Sequence, residues 1–338
     1  MGYINNLPTD IILDILTRLL IESILEYKLV CRAWRNLVSG HPSFSQLHLS
    51  HLNHSAADSG KLGFLVLDDY QDFHYFEYNE NNDDETPFHS ITRININPPF
   101  RFSYRVVGSL NGLICLYEYK YDIACICNPL TKEYVLLPKV DYDHEFSHWS
   151  IGFGYNASTN EYKVVELYKL RGEIGFMEVA VYTLGNGKGW RYVGRLDTKF
   201  FNICYGDGVF AYGALHWMDK KGERVFVFNL TKEKFGEKLS PPHFPPASSW
   251  LHLPPARRRP VYTMGDFGED LCCTIRYYSH MRTCLDIWLL RKRNDNPDMK
   301  EQVEHAPLFW SKECSHSEME PLAFTNSGGV LCFHHRSC

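Results

Sequence analysis

Asn128-Pro129-Leu130-Thr131-Lys132-Glu133 recurs further along as Asn229-Leu230-Thr231-Lys232-Glu233 with one residue dropped, the two Thr-Lys-Glu triplets starting at Thr131 and Thr231. Short apolar and aromatic runs flank both copies: Ile123 to Cys127 and Tyr134 to Leu137 around the first, Val225 to Asn229 leading into the second. Runs of that length broken by Asn, Pro, Gly and Thr are the pattern of consecutive antiparallel hairpins. Asn186-Gly187 lies between the copies in a similar turn. The interval therefore holds two units of about 50 residues each.

The same texture continues outward. Gly112 to Tyr117, Ile151 to Tyr155, Tyr162 to Tyr168, Val179 to Leu184, Trp190 to Val193, Val209 to Trp217, Leu271 to Tyr277 and Cys284 to Leu290 all read as strands, and none keeps helical spacing. Aromatic residues make up 14% of the chain, with 21 Tyr and 21 Phe, and such rings pack well across strands. The fold expected is mainly β, a propeller with a kelch-like period of about 50 residues, in which radial repetition protects strand edges. A two-sheet β-sandwich holds the same strands and is the alternative.

At 338 residues the chain is long enough for two units. A hydrophobic fraction of 44% and a charged fraction of 22% are ordinary globular values. The net charge of -5 gives no reason to expect a nucleic-acid partner. The dense basic run Arg257-Arg258-Arg259 lies among prolines and reads as a solvated loop. No apolar run approaches the ~20 residues of a membrane span, and Met1 to Asn6 lacks the regions of a signal peptide. The 11 cysteines, odd in number and without a framework spacing, fit free thiols in a reducing compartment. The expectation is a protein of the cytoplasm or nucleus.

The first fifty residues read differently. Ile11, Ile12, Ile15, Leu16 and Leu19 fall at spacings of three and four, with Thr9 as the expected N-cap and Asp10 at the positive end of the helix dipole. Ile21, Ile24 and Leu25 mark a second helix; Val30, Cys31, Trp34, Leu37 and Val38 mark a third that stops near Gly40 and Pro42. Three helices in about 40 residues make a thin core, which a partner would complete. Residues 1–50 therefore form a helical domain. Residues 51–62, small and polar, read as a linker; 63–338 form the β domain, with an exposed loop from Asn79 to Glu85.

Leu7-Pro8-x-Asp10, then Ile15-Leu16, Arg18-Leu19, Val30-Cys31-Arg32-x-Trp34 and finally Pro42 with Phe44 resemble an F-box, with Leu20 where plant members carry Pro. That resemblance implies docking on a Skp-family adaptor and, through it, a cullin scaffold, with Leu7, Pro8, Ile15, Leu16, Val30 and Trp34 as adaptor contacts. Ile15, Leu16 and Trp34 could equally hold the three helices together. Gly108-Ser109-x-Asn111-Gly112-Leu113-Ile114-Cys115, Cys127-Asn128-Pro129, Gly152-Phe153-Gly154-Tyr155, Asn160 to Val165, Gly213 to Trp217 and Leu285 to Trp288 resemble the F-box-associated domain of plant proteins, of the S-locus and kelch-related types. The implied function is substrate recognition for an SCF-type ubiquitin ligase, by a non-catalytic subunit with no cofactor. A stand-alone β-propeller that binds a protein or ligand is the alternative. Family members usually continue beyond the point equivalent to Cys338, so an open strand edge and dependence on partners are expected.

One rival chemistry competes. His144-Glu145-Phe146-Ser147-His148 matches the zinc-protease pattern, which works only on a helix where both imidazoles share a face. Here Trp149 to Tyr155 reads as a strand, so no metal is expected. Cys115, Cys125 and Cys127 read as small buried hydrophobes, and His216 as a satisfied core histidine. No residue is expected to be catalytic, and target-contacting residues are not assigned.

Overall fold

The computed structural model describes residues 8–19, 21–41, 43–59, 61–68, 70–79, 88–94, 100, 103–140, 146–172, 175–197, 206–219, 221–243, 260–267, 270–279, 282–292, 308–317, 320–324 and 330–333. The chain divides into two compact units, Met1–Asp68 with Phe73–Ile94, and Asp69–Asp72 with Asn95–Cys338.

The first unit opens with α1 (Thr9–Thr17), α2 (Ile21–Tyr27) and α3 (Arg32–Gly40). Pro8, not Thr9, occupies the capping place of α1, and its carbonyl accepts from the amides of Ile11 and Ile12. Thr9 lies inside the helix because the switch from extended to helical backbone falls at Pro8, whose φ of -53° suits either form and whose ψ of 144° is extended. Ile12, Leu13, Leu16, Ile24, Val38 and Phe44 form the core, with Leu19, Tyr27, Trp34 and Leu37 packed around it.

A fourth helix, α4 (Phe44–Ser59), covers most of the stretch read as a linker. Its anchor is one turn near its start. Phe44 and His48 are both buried, their rings stacked with centroids 5.8 Å apart, and His48 Nδ1 lies 2.9 Å from the Thr17 carbonyl. Strands β1 (Lys61–Leu67), β2 (Phe73–Asn79) and β3 (Phe88–Ile94) follow as an antiparallel meander with Phe64 opposite Phe76.

The second unit contains four four-stranded antiparallel meanders, each strand bonded to the next in sequence. The first comprises β4 (Tyr104–Leu110), β5 (Leu113–Glu118), β6 (Ile123–Cys127) and β7 (Tyr134–Leu136); the second comprises β8 (Phe146–Asn156), β9 (Glu161–Leu170), β10 (Phe176–Thr183) and β11 (Trp190–Asp197). The third comprises β12 (Val209–Ala211), β13 (Ala214–Met218), β14 (Val225–Asn229) and β15 (Lys234–Phe235); the fourth comprises β16 (Val261–Phe267), β17 (Asp270–Ser279), β18 (Arg282–Lys292) and β19 (Leu308–Ser317). A two-stranded sheet, β20 (Glu320–Phe324) with β21 (Val330–Phe333), comes last.

First strands of successive sheets touch: β4 with β8, β8 with β12, β12 with β16, and β16 with β20. Each of the two inner meanders packs one face on the sheet before it and one on the sheet after it. Tyr117 and Ile126 meet Phe153 and Val164 in one cluster, while Val165 and Val179 meet Trp217 and Phe228 in the next. That serial stacking is a propeller's blade arrangement rather than a two-layer sandwich. The two Thr-Lys-Glu turns join the third and fourth strands of the first and third blades, so one blade lies between them, as their spacing predicts.

Close approach of blades explains two glycines. Gly208 N–H donates to Ile151 O at 2.8 Å, and a Cβ on Gly208 would lie 2.4 Å from the Trp217 ring. A Cβ on Gly152 would press Leu215 and Trp217 at 3.0–3.1 Å. Trp217 Nε1 donates to Ser150 Oγ, which donates to Gly206 O, both at 2.7 Å.

Candidate functional site

In the helical unit the apolar residues divide into two sets. Leu16, 1% exposed, belongs to the unit's own core, and Trp34 is half-buried with its ring edge-on to Tyr27 at 5.2 Å. Of the sequence-predicted contacts, these two hold helices together. Pro8 is exposed, and Ile15 and Val30 are 47% and 56% exposed. Leu7 lies outside the described residues. Two apolar residues outside the sequence-predicted set are exposed beside them: Ile11, one turn before Ile15 and equally exposed, and Leu29, which at 77% exposure stands beside Val30 in the turn between α2 and α3. The signal was available: Ile11 and Ile15 sit four apart, a spacing that forms its own stripe beside the Ile12–Leu16 pair.

Local bonds fix this surface. The amides of Leu29 and Val30 donate to Glu26 O and Tyr27 O, and Arg35 Nε donates to Lys28 O at 3.1 Å, tying α3 to the turn. Arg18 pairs with Asp14 at 2.9 Å on exposed α1. The Arg18 guanidinium holds the Asp14 carboxyl below its usual range. The exposed apolar residues are therefore presented on a bonded frame. Covering each would contribute about 1.5–3 kcal/mol when burial is complete.

The blades carry polar groups placed for structure. Arg105 on β4 grips Asp207 through two bonds of 2.5 and 2.6 Å, and its guanidinium lies 4.1 Å from the Tyr119 ring centroid. Lys163 on β9, 6% exposed on its side chain, donates to Leu230 O at 3.0 Å and to Glu233 at 2.9 Å, while Arg191 grips the same carboxylate at 2.7 and 2.9 Å. These two cations hold the Glu233 carboxyl below its usual value.

The rival chemistry finds no support in backbone form. Phe146, Ser147 and His148 lie on strand β8, where successive side chains alternate in direction; His144 and Glu145 lie outside the described residues. Cys115, Cys125 and Cys127 are buried to 1% exposure or less, and burial pushes the Cys125 and Cys127 thiols up to about 12 and about 11. Thiols so raised stay protonated at neutral pH and are poor nucleophiles or ligands. His216 is 2% exposed, and burial lowers its imidazole to about 4, which keeps it neutral. Arg257 to Arg259 lie outside the described residues. No described helix is long and apolar enough to cross a membrane.

Comparison with known families matches residues 4–50 to an F-box-like domain and residues 62–245 to an F-box associated beta propeller domain. An F-box protein of Arabidopsis thaliana is 29% identical over 269 residues, covering 71% of this chain and 61% of the relative. An F-box/kelch-repeat protein of the same plant is 26% identical over 249 residues, covering 70% of this chain and 66% of the relative. This chain thus spans less than two thirds of either. A third Arabidopsis thaliana F-box protein is 25% identical over 98% of this chain and 72% of its own length.

Proposed function

The chain belongs to the family of F-box proteins that carry an F-box associated beta propeller domain, and from that membership we propose that it recruits target proteins to an SCF-type cullin ubiquitin ligase through a Skp-family adaptor. The observation that carries this reading is the pair of exposed apolar sites, Ile11 with Ile15 and Leu29 with Val30, on a helical unit whose own core is already filled by Leu16, Ile24 and Phe44. Charge contributes little, since residues 1–50 balance Arg18, Lys28, Arg32 and Arg35 against Asp10, Asp14, Glu22 and Glu26. Association would rest on apolar burial.

The mechanism is proximity. A target bound on the propeller is held near a ubiquitin-loaded conjugating enzyme, so effective concentration rises without a catalytic group in this chain.

The test is capture of the full chain by an immobilised Skp-family adaptor. Ile15→Asp with Val30→Asp should weaken capture more than tenfold, while the main thermal transition of the β domain stays in place. Capture equal to that of the parent chain would overturn the reading.

A further inference from the structure

The outer strand of the first blade differs from its counterpart in the third. Leu137 N–H donates to Ala124 O, and Asn128 N–H to Glu133 O, both at 2.9 Å. With the β6–β7 register, these bonds make Val135 a bonded partner of Ile126, so Val135 turns its backbone groups toward β6 while Tyr134 and Leu136 turn theirs to the edge that no described strand pairs. In the third blade Gly236 N–H donates to Val227 O at 2.9 Å, and Lys234 pairs with Asn229. Val135 and Leu136 therefore correspond to Gly236 and Glu237.

That comparison singles out β7. Its counterpart's edge runs into a glycine and a carboxylate, and β11 and β19 carry Arg191, Arg195, Lys312 and Glu313, the kind of charges that deter pairing at an edge. Tyr134, Val135 and Leu136 carry none, yet are 48%, 49% and 43% exposed.

The ends of the strand supply a second observation. The same correspondence puts Lys132, with φ 61°, where Glu233, with φ 50°, stands in the third blade. Glu233 is held by Lys163 and Arg191 of the preceding blade. Lys132 is exposed, and no carboxylate among the described residues pairs with it. At the far end Lys139 is also exposed, with its Nζ 6.0 Å from the Tyr121 ring centroid and no paired carboxylate among the described residues. Glu133 is the carboxylate within this stretch, and alternation gives it the face of Val135 rather than that of Tyr134 and Leu136.

We propose that β7 is a strand-addition site, which takes an extended segment of the target protein with an apolar centre and acidic flanks as a fifth strand of the first blade. Backbone bonds to Tyr134 and Leu136 give affinity, and the lysines at either end favour carboxylates on the incoming segment. The inference rests on the reading of this domain as the target-binding part.

The test uses the full chain and a fluorescein-labelled peptide, Asp-Glu-Val-Tyr-Val-Tyr-Glu-Asp, with Lys-Lys-Val-Tyr-Val-Tyr-Lys-Lys as its counterpart, read by anisotropy. The acidic peptide should bind at least tenfold more tightly than the basic one. Leu136→Pro removes an outward N–H and no bond to β6, so it should cost tenfold or more in affinity with the melt unchanged. Should that variant melt early, Leu136→Glu leaves the backbone intact, puts a charge of the peptide's own sign on the edge, and should weaken binding as strongly. Joint Lys132→Glu and Lys139→Glu should reverse the peptide preference.

Several results would overturn the site: undiminished binding by both Leu136 variants, no binding by either peptide, or equal binding of the two. So would a parent dimer that Leu136→Pro turns into a monomer, since a second copy would then be the occupant. Adaptor capture, measured on the same samples, separates the two readings. Its loss with peptide binding intact sinks the ligase assignment alone, and the reverse sinks the strand-addition site alone.

Discussion

His216 shows how one buried side chain sets a pH dependence. Its Nδ1 lies 3.3 Å from Val209 O in the blade interior, and burial brings its pKa from 6.5 to about 4. The unfolded chain takes up a proton below about pH 6.5, while the fold keeps the ring neutral down to about pH 4. Stability from this group is therefore complete above pH 6.5 and lost as pH falls through that window, by about 3 kcal/mol at the lower end. Denaturant melts at pH 7.5 and 5.0 should show a smaller acid loss for His216→Gln than for the parent; an equal loss would assign the sensitivity to other groups. Gly208 is a steric counterpart. Alanine there would put a methyl 2.4 Å from the Trp217 ring, and overpacking of that kind costs about 1–3 kcal/mol, so Gly208→Ala should melt several degrees early. The buried state of Cys115, Cys125 and Cys127 was legible from the sequence because an unpaired cysteine behaves as a small hydrophobe; that Cys115 lies opposite Ile126, on the other face of the sheet from Cys125 and Cys127, was not. The role of Gly208 was not, because it depends on a ring nine residues away that reaches it only after β12 and β13 pair.

At the scale of elements, the turns carry the most readable signal. Asn128 Oδ1 accepts from the amides of Leu130 and Thr131, and Asn229 Oδ1 from those of Thr231 and Lys232, so both copies build the same local loop from the same residue type. The dropped residue, however, shifts the charges by one place, and the geometric equivalent of Glu233 is Lys132 rather than Glu133. A sequence echo thus located the element and misassigned the side chain. Val209 to Trp217 read as one strand, but the chain reverses at Tyr212 and Gly213 with φ of 50° and 74°. Tyrosine is an unusual residue for that conformation. Its hydroxyl donates toward Asp270 and Leu290 O in the next blade, which holds the turn in place. Helix α4 was hidden for a related reason: the sequence of its second half, Asn53 to Ser59, is small and polar, and its start is fixed by Phe44 and His48 against α1. Glu233 gives the test at this scale. Glu233→Gln weakens its hold on a Lys163 that is nearly buried, so about 3 kcal/mol of stability should disappear. Pairing it with Lys163→Met should recover much of that loss, and a double variant as unstable as the sum would show that the charge pair is not what joins these blades.

For the whole molecule, the two units differ in how much apolar surface each buries by itself. The propeller unit stacks successive clusters, Cys115 with Phe153, Leu215 with Trp217 and Phe226, and Cys273 with Ile275, so each inner blade is held from both sides. The four helices share one small cluster built around Leu16, Ile24 and Phe44, with Ile11, Ile15, Leu29 and Val30 left outside it. Local opening should therefore be far cheaper in α1 to α3 than in β13 and β14, where Leu215, Trp217 and Phe226 are buried to 1% exposure or less. Amide hydrogen exchange of the free chain should show fast exchange across Ile11 to Val38 and slow exchange across Ala214 to Phe228. Saturating Skp-family adaptor stabilises only the state it binds, in proportion to RT ln(1 + [L]/Kd), or about 2.7 kcal/mol at a hundredfold excess over Kd. That corresponds to roughly a hundredfold slowing in the helices, with the blades unchanged. Leu16→Ala should make the free helices exchange faster by emptying the core, whereas Ile15→Asp should leave their free exchange alone and abolish the slowing on addition of adaptor. If Ile15→Asp is slowed as much as the parent, this face of α1 is not where the adaptor sits, and the division of α1 into a core stripe and a docking stripe fails with it.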